Sequence, residues 1–301
     1  MLFTWVPQLG RHILWQQRKS QIYLLLSVGF IIPLPLILHP VIKDVILDDL
    51  AAEWAQAHLW FALACFVGVL VGYELLVFFF SLRHRWPPGT LYSDSIALHR
   101  LSAKALLRRA PRMMFTNDSK TLNIGIVTSF ASGHFIFFPM RAAEVLNERE
   151  QEVVIAHEIA HAKHIDRAGD LFFWASGLIF EVYFFAFVVT AILGPPSGFG
   201  LAYSIAMFWA AVIVFLLQNM HHVIHCAYRR AREYLADAAA VGLAGWEFRG
   251  DLVSALQKID RDTQSNWPQW IAYGYPEFLR THPCISNRAK VLGLDASKIV
   301  I

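Results

Sequence analysis

His157-Glu158-Ile159-Ala160-His161 sets two histidines and a glutamate within five residues. Two His four residues apart on a helix share one face, so both imidazoles can reach one metal ion. The Glu between them stands close enough to polarise a water on that metal, which is the pattern of a zinc peptidase centre. The flanks suit a helix. Glu148, Glu150 and Glu152 load its first turns with acid, while Val153, Val154, Ile155, Ile159 and Ala160 give it an apolar side. A structural pair of helix histidines is the alternative. With 13 His in 301 residues, chance placement yields about 0.02 matches to the pattern in a chain of this composition.

Such a site needs a third ligand. Glu233-Tyr234-Leu235-Ala236-Asp237 follows the basic cluster Arg229, Arg230 and Arg232. Glu233 and Asp237 are i and i+4 on an expected helix, so both carboxylates can face one neighbour. Glu233 would complete a set of two His and one Glu, leaving the fourth position open for water. Asp237 would then accept the outer N–H of a ligand His. Alternatively, the two acids form an exposed face paired with those arginines. A metzincin would place Gly three residues, and a third His six residues, after the second motif His. This chain has His164 and Arg167 there, so the third ligand must come from elsewhere.

The composition points to a membrane. Hydrophobic residues make up 56% of the chain and charged residues 16%, with a mean hydropathy of +0.43. Soluble domains carry about 25% charged residues. The formal net charge of +3 is too small to argue for a nucleic-acid partner. Four segments reach the length of about 20 apolar residues that a bilayer requires. Residues 22–42 carry no charge and residues 59–82 carry only Glu74. Residues 171–228 carry only Glu181, and Gly194-Pro195-Pro196-Ser197-Gly198 divides them into spans at 171–193 and 201–220. The first span is expected to stay in the chain, since its apolar run exceeds that of a signal peptide and no small-residue cleavage site follows. Pro33, Pro35 and Pro40 are expected to kink it.

Lysine and arginine set the expected orientation. Arg11, Arg18 and Lys19 precede the first span, whereas the next loop sets Lys43 against Asp44, Asp48, Asp49 and Glu53. Arg83, Arg85, Arg100, Lys104, Arg108, Arg109 and Arg112 follow the second span with only Asp94 among them. Arg229, Arg230 and Arg232 follow the fourth. The positive-inside rule therefore places both termini, His157 and Glu233 in the cytoplasm. Cys65, Cys226 and Cys284 show no metal-site spacing and read as free thiols.

Outside the spans, residues 97–109 read as a basic amphipathic helix that packs on the catalytic domain or meets lipid. Residues 122–128 and 134–138 are β-rich and read as a hairpin across Ser129-Phe130-Ala131-Ser132-Gly133. One of its strands could offer an edge to an extended peptide. Residues 231–259 read as helix, with Gly242, Gly245 and Gly250 as expected breaks. Residues 267–283 read as loop and a short helix closes the chain. No internal repeat or low-complexity tract is present.

These motifs, in this order, resemble the HtpX type of membrane metallopeptidase, kin to the CAAX prenyl proteases. The resemblance covers most of the chain. It matches His157-Glu158-x-x-His161 followed by Asp166, then Glu233-x-x-x-Asp237, then Thr281-His282-Pro283 followed by Arg288. It implies that Asp166 supports a ligand from outside the metal's own shell, and that His282 and Arg288 face the scissile carbonyl. It departs at the hairpin, where the family often carries Asn-Ala-Phe and then Thr-Gly. The nearest candidates here are Asn123-Ile124-Gly125 and Pro139-Met140-Arg141. CAAX prenyl proteases usually have more spans than four, which favours the HtpX type.

The expected protein is mainly α and integral to the membrane, with about four transmembrane helices and a cytoplasmic α+β, zincin-like metalloprotease domain. Residues 1–82 would hold two spans, 83–170 the first part of the catalytic domain, 171–228 two further spans and 229–301 the rest. The expected chemistry is hydrolysis of peptide bonds in membrane or misfolded proteins, with Zn2+ as cofactor and Glu158 as base. Protein substrates and the lipid bilayer are the expected partners, and the inner (plasma) membrane the expected location. Two other classes fit less well. A catalytically silent scaffold would not need Glu158, and a membrane sensor would need an extracellular domain, for which no room is expected after Ile301. Glu181 lies mid-span, where it could face a cavity or pair with His58, Glu74 or a hydroxyl.

Overall fold

A computed structural model describes residues 7–31, 34, 38, 51–83, 96–116, 122, 124–129, 133–164, 166–193, 201–265 and 277–295. In chain order these form α1 (Pro7–Ile31), α2 (Ala51–Arg83), α3 (Ile96–Lys104), β1 (Arg112–Thr116), β2 (Gly125–Ser129) and β3 (Gly133–Pro139). There follow α4 (Met140–Val145), α5 (Glu148–Lys163), α6 (Asp166–Leu193), α7 (Leu201–Ala244), α8 (Arg249–Ser265) and α9 (Ile285–Val291). Short 3-10 turns cover Trp246–Phe248 and Glu277–Leu279. The chain divides into two compact units. One comprises residues 1–20, 74–167 and 227–301, and the other residues 21–73 and 168–226.

The first unit is built on a three-stranded sheet with β3 in the middle. β2 and β3 pair antiparallel, with Ser129 opposite Gly133, as the expected hairpin requires. Its tip, including Ser132, lies outside the described residues, as does Asn123. β1 joins the other side of β3 in parallel, Met113 opposite Ile136. Sequence pattern does not announce β1, because Met113 and Met114 lack the branched signal of a strand and pairing with β3 decides the matter. Ile136 and Phe138 from β3, Val153, Ile155 and Ile159 from α5, and Leu252 and Val253 from α8 close one core. Leu98 and Leu101 of α3 are fully buried in that core, so the apolar side of this helix packs inward.

Asn147 starts α5 with a capping box. Its side chain accepts from the Glu150 backbone N–H at 3.0 Å, and Glu150 accepts from the Asn147 N–H at 2.9 Å. Glu150 also receives Ser254 Oγ at 2.6 Å and Lys258 Nζ at 2.7 Å, which ties α5 to α8. Ten residues of α5 are buried, so it is a core helix rather than a surface helix with one apolar side. α7 runs unbroken through Gly242, where packing of Ala240 and Val241 outweighs the modest helix penalty of glycine. The break falls at Gly245, whose φ of 136° only glycine adopts readily. Gly250 is the second residue of α8 and breaks nothing.

The second unit packs Ile31, Leu34, Leu38, Cys65, Ile179, Phe180, Met207 and Val214 against one another. Its outward side chains are also apolar, among them Leu59, Trp60, Phe185, Ile192, Phe208 and Phe215. Apolar residues on both sides are the pattern of helices in lipid. Ser176, Thr190 and Asn219 each bond a carbonyl one turn back, as polar groups in lipid must. Three helices among the described residues are long and apolar enough to cross a membrane: Gln56–Phe79, Asp166–Leu193 and Leu201–Ala244. Of the expected first span, residues 22–31 lie in α1 and most of the rest falls outside the described residues, as does the loop 194–198. Glu181 is exposed, and two of its expected partners have other contacts. His58 bonds Tyr183 at 2.6 Å and Glu74 accepts from Ser129 at 2.7 Å.

Glu150 gives a stability test. Burial raises its pKa, but the hydrogen bonds from Lys258, Ser254 and the Asn147 backbone outweigh that and hold it below the ordinary value. Its contribution is therefore complete above the unfolded pKa of about 4.3 and is lost as pH falls through the lower folded value. Glu150→Ala removes the cap and the buried acceptor shared by Ser254 and Lys258, at a cost of about 1–2 kcal/mol. Thermal melts of the detergent-purified protein at pH 7 should show this loss, and the gap between variant and wild type should narrow at low pH.

Candidate metal centre

α5 brings His157, Glu158 and His161 to one place, the first two buried and His161 half-buried. The two His Nε2 atoms lie 3.1 Å apart and the rings meet edge to face. α7 supplies Glu233, with Oε2 3.5 Å from His157 Nε2 and Oε1 3.7 Å from His161 Nε2. All three ligand atoms fall within 4.8 Å of one another. Bonds of about 2.0–2.1 Å in a tetrahedral zinc site put neighbouring ligand atoms about 3.3–3.5 Å apart. Two imidazole nitrogens and a carboxylate at these distances fit a metal ion.

The outer nitrogen of each ring faces a carboxylate. His161 Nδ1 stands 2.7 Å from Asp166 Oδ2, and a donation there leaves Nε2 as an acceptor facing inward. His157 Nδ1 lies 3.1 Å from Asp237 Oδ1, an ion-pair distance at which the N–H direction misses the ideal line. The two inward nitrogens, 3.1 Å apart, can share one proton or one metal ion between them. Asp237 is fully buried and is gripped by Arg288, whose Nε and Nη2 reach its two oxygens at 2.7 and 2.5 Å. Arg288 Nη2 is also 3.4 Å from Glu233 Oε2. The fork-to-carboxylate geometry is the strong form of such a pair.

The electrostatics favour positive charge. Burial would lower the His157 pKa, yet the hydrogen bonds and charges of Asp237 and Glu233 push it up to about 10. Burial pushes Glu158 up, against the opposing pull of His161 and His157. A carboxyl with a raised pKa is poised to exchange protons nearer neutral pH.

The expected C-terminal pair is brought to the same place but divided in environment. His282 lies with Nδ1 3.3 Å from Glu233 Oε1 and its side chain 59% exposed. Arg288 is buried against Asp237 and Glu233, so its charge reaches the site through those carboxylates. Arg230, outside the sequence-derived set, donates to the carbonyls of Phe278 at 2.9 Å and Arg280 at 2.6 Å, which holds the segment leading to His282. Arg232 donates to Asp166 and to the His164 carbonyl. The basic cluster before Glu233 was a visible signal for both, but spacing cannot say which arginine meets which acceptor.

Arg288→Met would leave Asp237 buried without its partner, a loss of about 3–5 kcal/mol. Arg149→Met, at the exposed pair with Asp251, should cost less than about 1 kcal/mol. Denaturation of the two variants side by side should rank them in that order.

The profile of peptidase family M48 matches residues 98–294. A Protease HtpX homolog of Helicobacter acinonychis is 30% identical over 232 residues, 70% of this chain and 70% of its own length. The Helicobacter pylori homolog is 29% identical over 226 residues, 68% of this chain and 69% of its own length. The chain spans less of others: 37% of the Pyrobaculum calidifontis Protease HtpX homolog, at 30% identity over 44% of this chain. The fold is shared with S. mikatae Ste24p, whose crystal structure matches at a TM-score of 0.52 and 16% identity, covering 93% of this chain and 66% of that one. With a metal-binding geometry, apolar helices and a family profile over most of its length, this chain belongs to peptidase family M48, as a membrane metallopeptidase of the HtpX type.

Proposed function

We propose that this chain is a zinc endopeptidase acting on membrane or misfolded proteins, with its site on the cytoplasmic side of the inner membrane. The observation that carries the reading is the convergence of His157, His161 and Glu233 within 4.8 Å, with Glu158 buried beside them. Two nitrogens and one carboxylate oxygen are a zinc donor set with one position left open. Zinc held there would supply Lewis acidity and a more acidic water.

The protein's own groups then have distinct tasks. Glu158 takes the proton of the attacking water and passes it to the leaving amine. Asp166 accepts from the outer nitrogen of His161 and fixes that ring's direction, and Asp237 sets its charge beside the outer nitrogen of His157. His282, on the exposed side, donates to the oxyanion, a contact of about 3 kcal/mol. Arg288 braces Asp237 and Glu233 and adds positive charge to the same side. β1 and β2 are the edges of the sheet, and an extended substrate adding to an edge would have its backbone ordered for the attack. Four spans are expected from the apolar runs, and both termini inside from the distribution of Lys and Arg; the Helicobacter relatives are named as proteases.

Glu158→Gln keeps size and helix fit but cannot take the proton. The variant should keep its metal and lose at least about a hundred-fold in casein cleavage. Equal cleavage by variant and wild type would remove Glu158 from the mechanism. Metal analysis should find one zinc per wild-type chain and a clear loss in Glu233→Ala; full occupancy in that folded variant would remove Glu233 as a ligand. Orientation can be read by cysteine labelling of intact cells at positions 48, 132 and 196, all outside the described residues. An impermeant reagent should reach 48 and 196, and reaction at 132 would overturn the charge argument.

A further inference from the structure

Arg232 immediately precedes Glu233 on α7, yet its contacts lie with the histidine helix. Its guanidinium ion-pairs Asp166 Oδ1 and donates to the His164 carbonyl at 3.1 Å, with the side chain 11% exposed. Asp166 spends its other oxygen on His161 Nδ1 at 2.7 Å. His164 is the C-cap of α5, and the last carbonyls of a helix have no partner of their own within it. A cation at that end is also favoured by the helix dipole. One guanidinium thus touches the end of α5, the first residue of α6 and, through its own backbone, the helix that carries Glu233.

We infer that Arg232 is a positioning residue of the metal centre, fixing the ring of His161 through Asp166 and locking α5 to α7 so that the histidine pair and Glu233 keep their spacing. The inference rests on the site reading above. Asp166 with a single partner could turn about its terminal torsion and release His161 Nδ1. Pinned at Oδ1 by Arg232, it keeps Oδ2 aimed at that N–H, so His161 Nε2 stays an acceptor. The planar fork of arginine can serve a carboxylate and a carbonyl together in fixed directions. Lysine would keep the charge but not the fork, so Arg232→Lys isolates geometry from electrostatics. Arg230 cannot substitute, being committed to the carbonyls of Phe278 and Arg280.

The test uses the full chain purified in detergent, with Zn2+ as the probe and no substrate. Competition against a chromophoric chelator should show Zn2+ bound about 10–100-fold more weakly by Arg232→Lys than by wild type. Asp166→Asn should weaken it similarly, and the double variant should be little worse than Asp166→Asn alone, because both act through one chain of contacts. Wild-type affinity in Arg232→Lys, or losses that multiply in the double variant, would overturn the role. Should Arg232→Lys be destabilised, the rise in melting temperature on adding Zn2+, taken from its own metal-free melt, still reads affinity. That rise should be smaller than in wild type, and an equal rise overturns the proposal. His157→Ala separates the two possible failures. Zn2+ lost there but bound normally by Arg232→Lys refutes only the positioning role, whereas Zn2+ retained by His157→Ala refutes the site reading and this inference with it.

Discussion

Concentrated negative charge away from water is the constraint that organises the catalytic unit. Glu158, Glu233 and Asp237 are all buried around two imidazoles. Carboxylates in such a place are costly unless each finds a cation or several donors. Arg288 answers Asp237 and approaches Glu233, and Arg232 answers Asp166. The remaining charge points inward at the gap between His157 Nε2, His161 Nε2 and Glu233. A metal ion is the natural occupant of that gap, and the arginines behind it explain how the cluster can be built before the ion arrives.

The burial of α5 follows from the same constraint. A helix that presents two of the three groups of a metal-binding cluster must hold its position to about 0.5 Å. Its start is fixed by the Asn147–Glu150 box and by Ser254 and Lys258 of α8, and its end by Arg232 at the His164 carbonyl. Between these ends Val153, Ile155 and Ile159 are locked into the core under the sheet. Secondary structure alone would leave both ends of such a helix free to fray.

The relatives differ from this chain at most positions. Sequence identity of 29–30% to the Helicobacter proteases, and 16% to Ste24p, coexists with a shared family profile or a shared fold. A core tolerates exchange among apolar residues of similar volume, whereas a tetrahedral donor set and its outer partners do not.

Much of this protein was legible in the sequence. His157, Glu158, His161, Glu233 and Asp237 declare themselves because helical spacing converts directly into a shared face. Long apolar runs declare lipid-embedded helices because the bilayer sets their length. Three things were decided only by the tertiary structure. β1 exists because β3 offers it a partner, and Gly242 stays helical because its surroundings pack around it. The pairing of Arg232 with Asp166 and of Arg288 with Asp237 spans 66 and 51 residues of chain. Local periodicity carries no information at such separations, since which charged groups meet is settled only when helices distant in sequence are packed side by side.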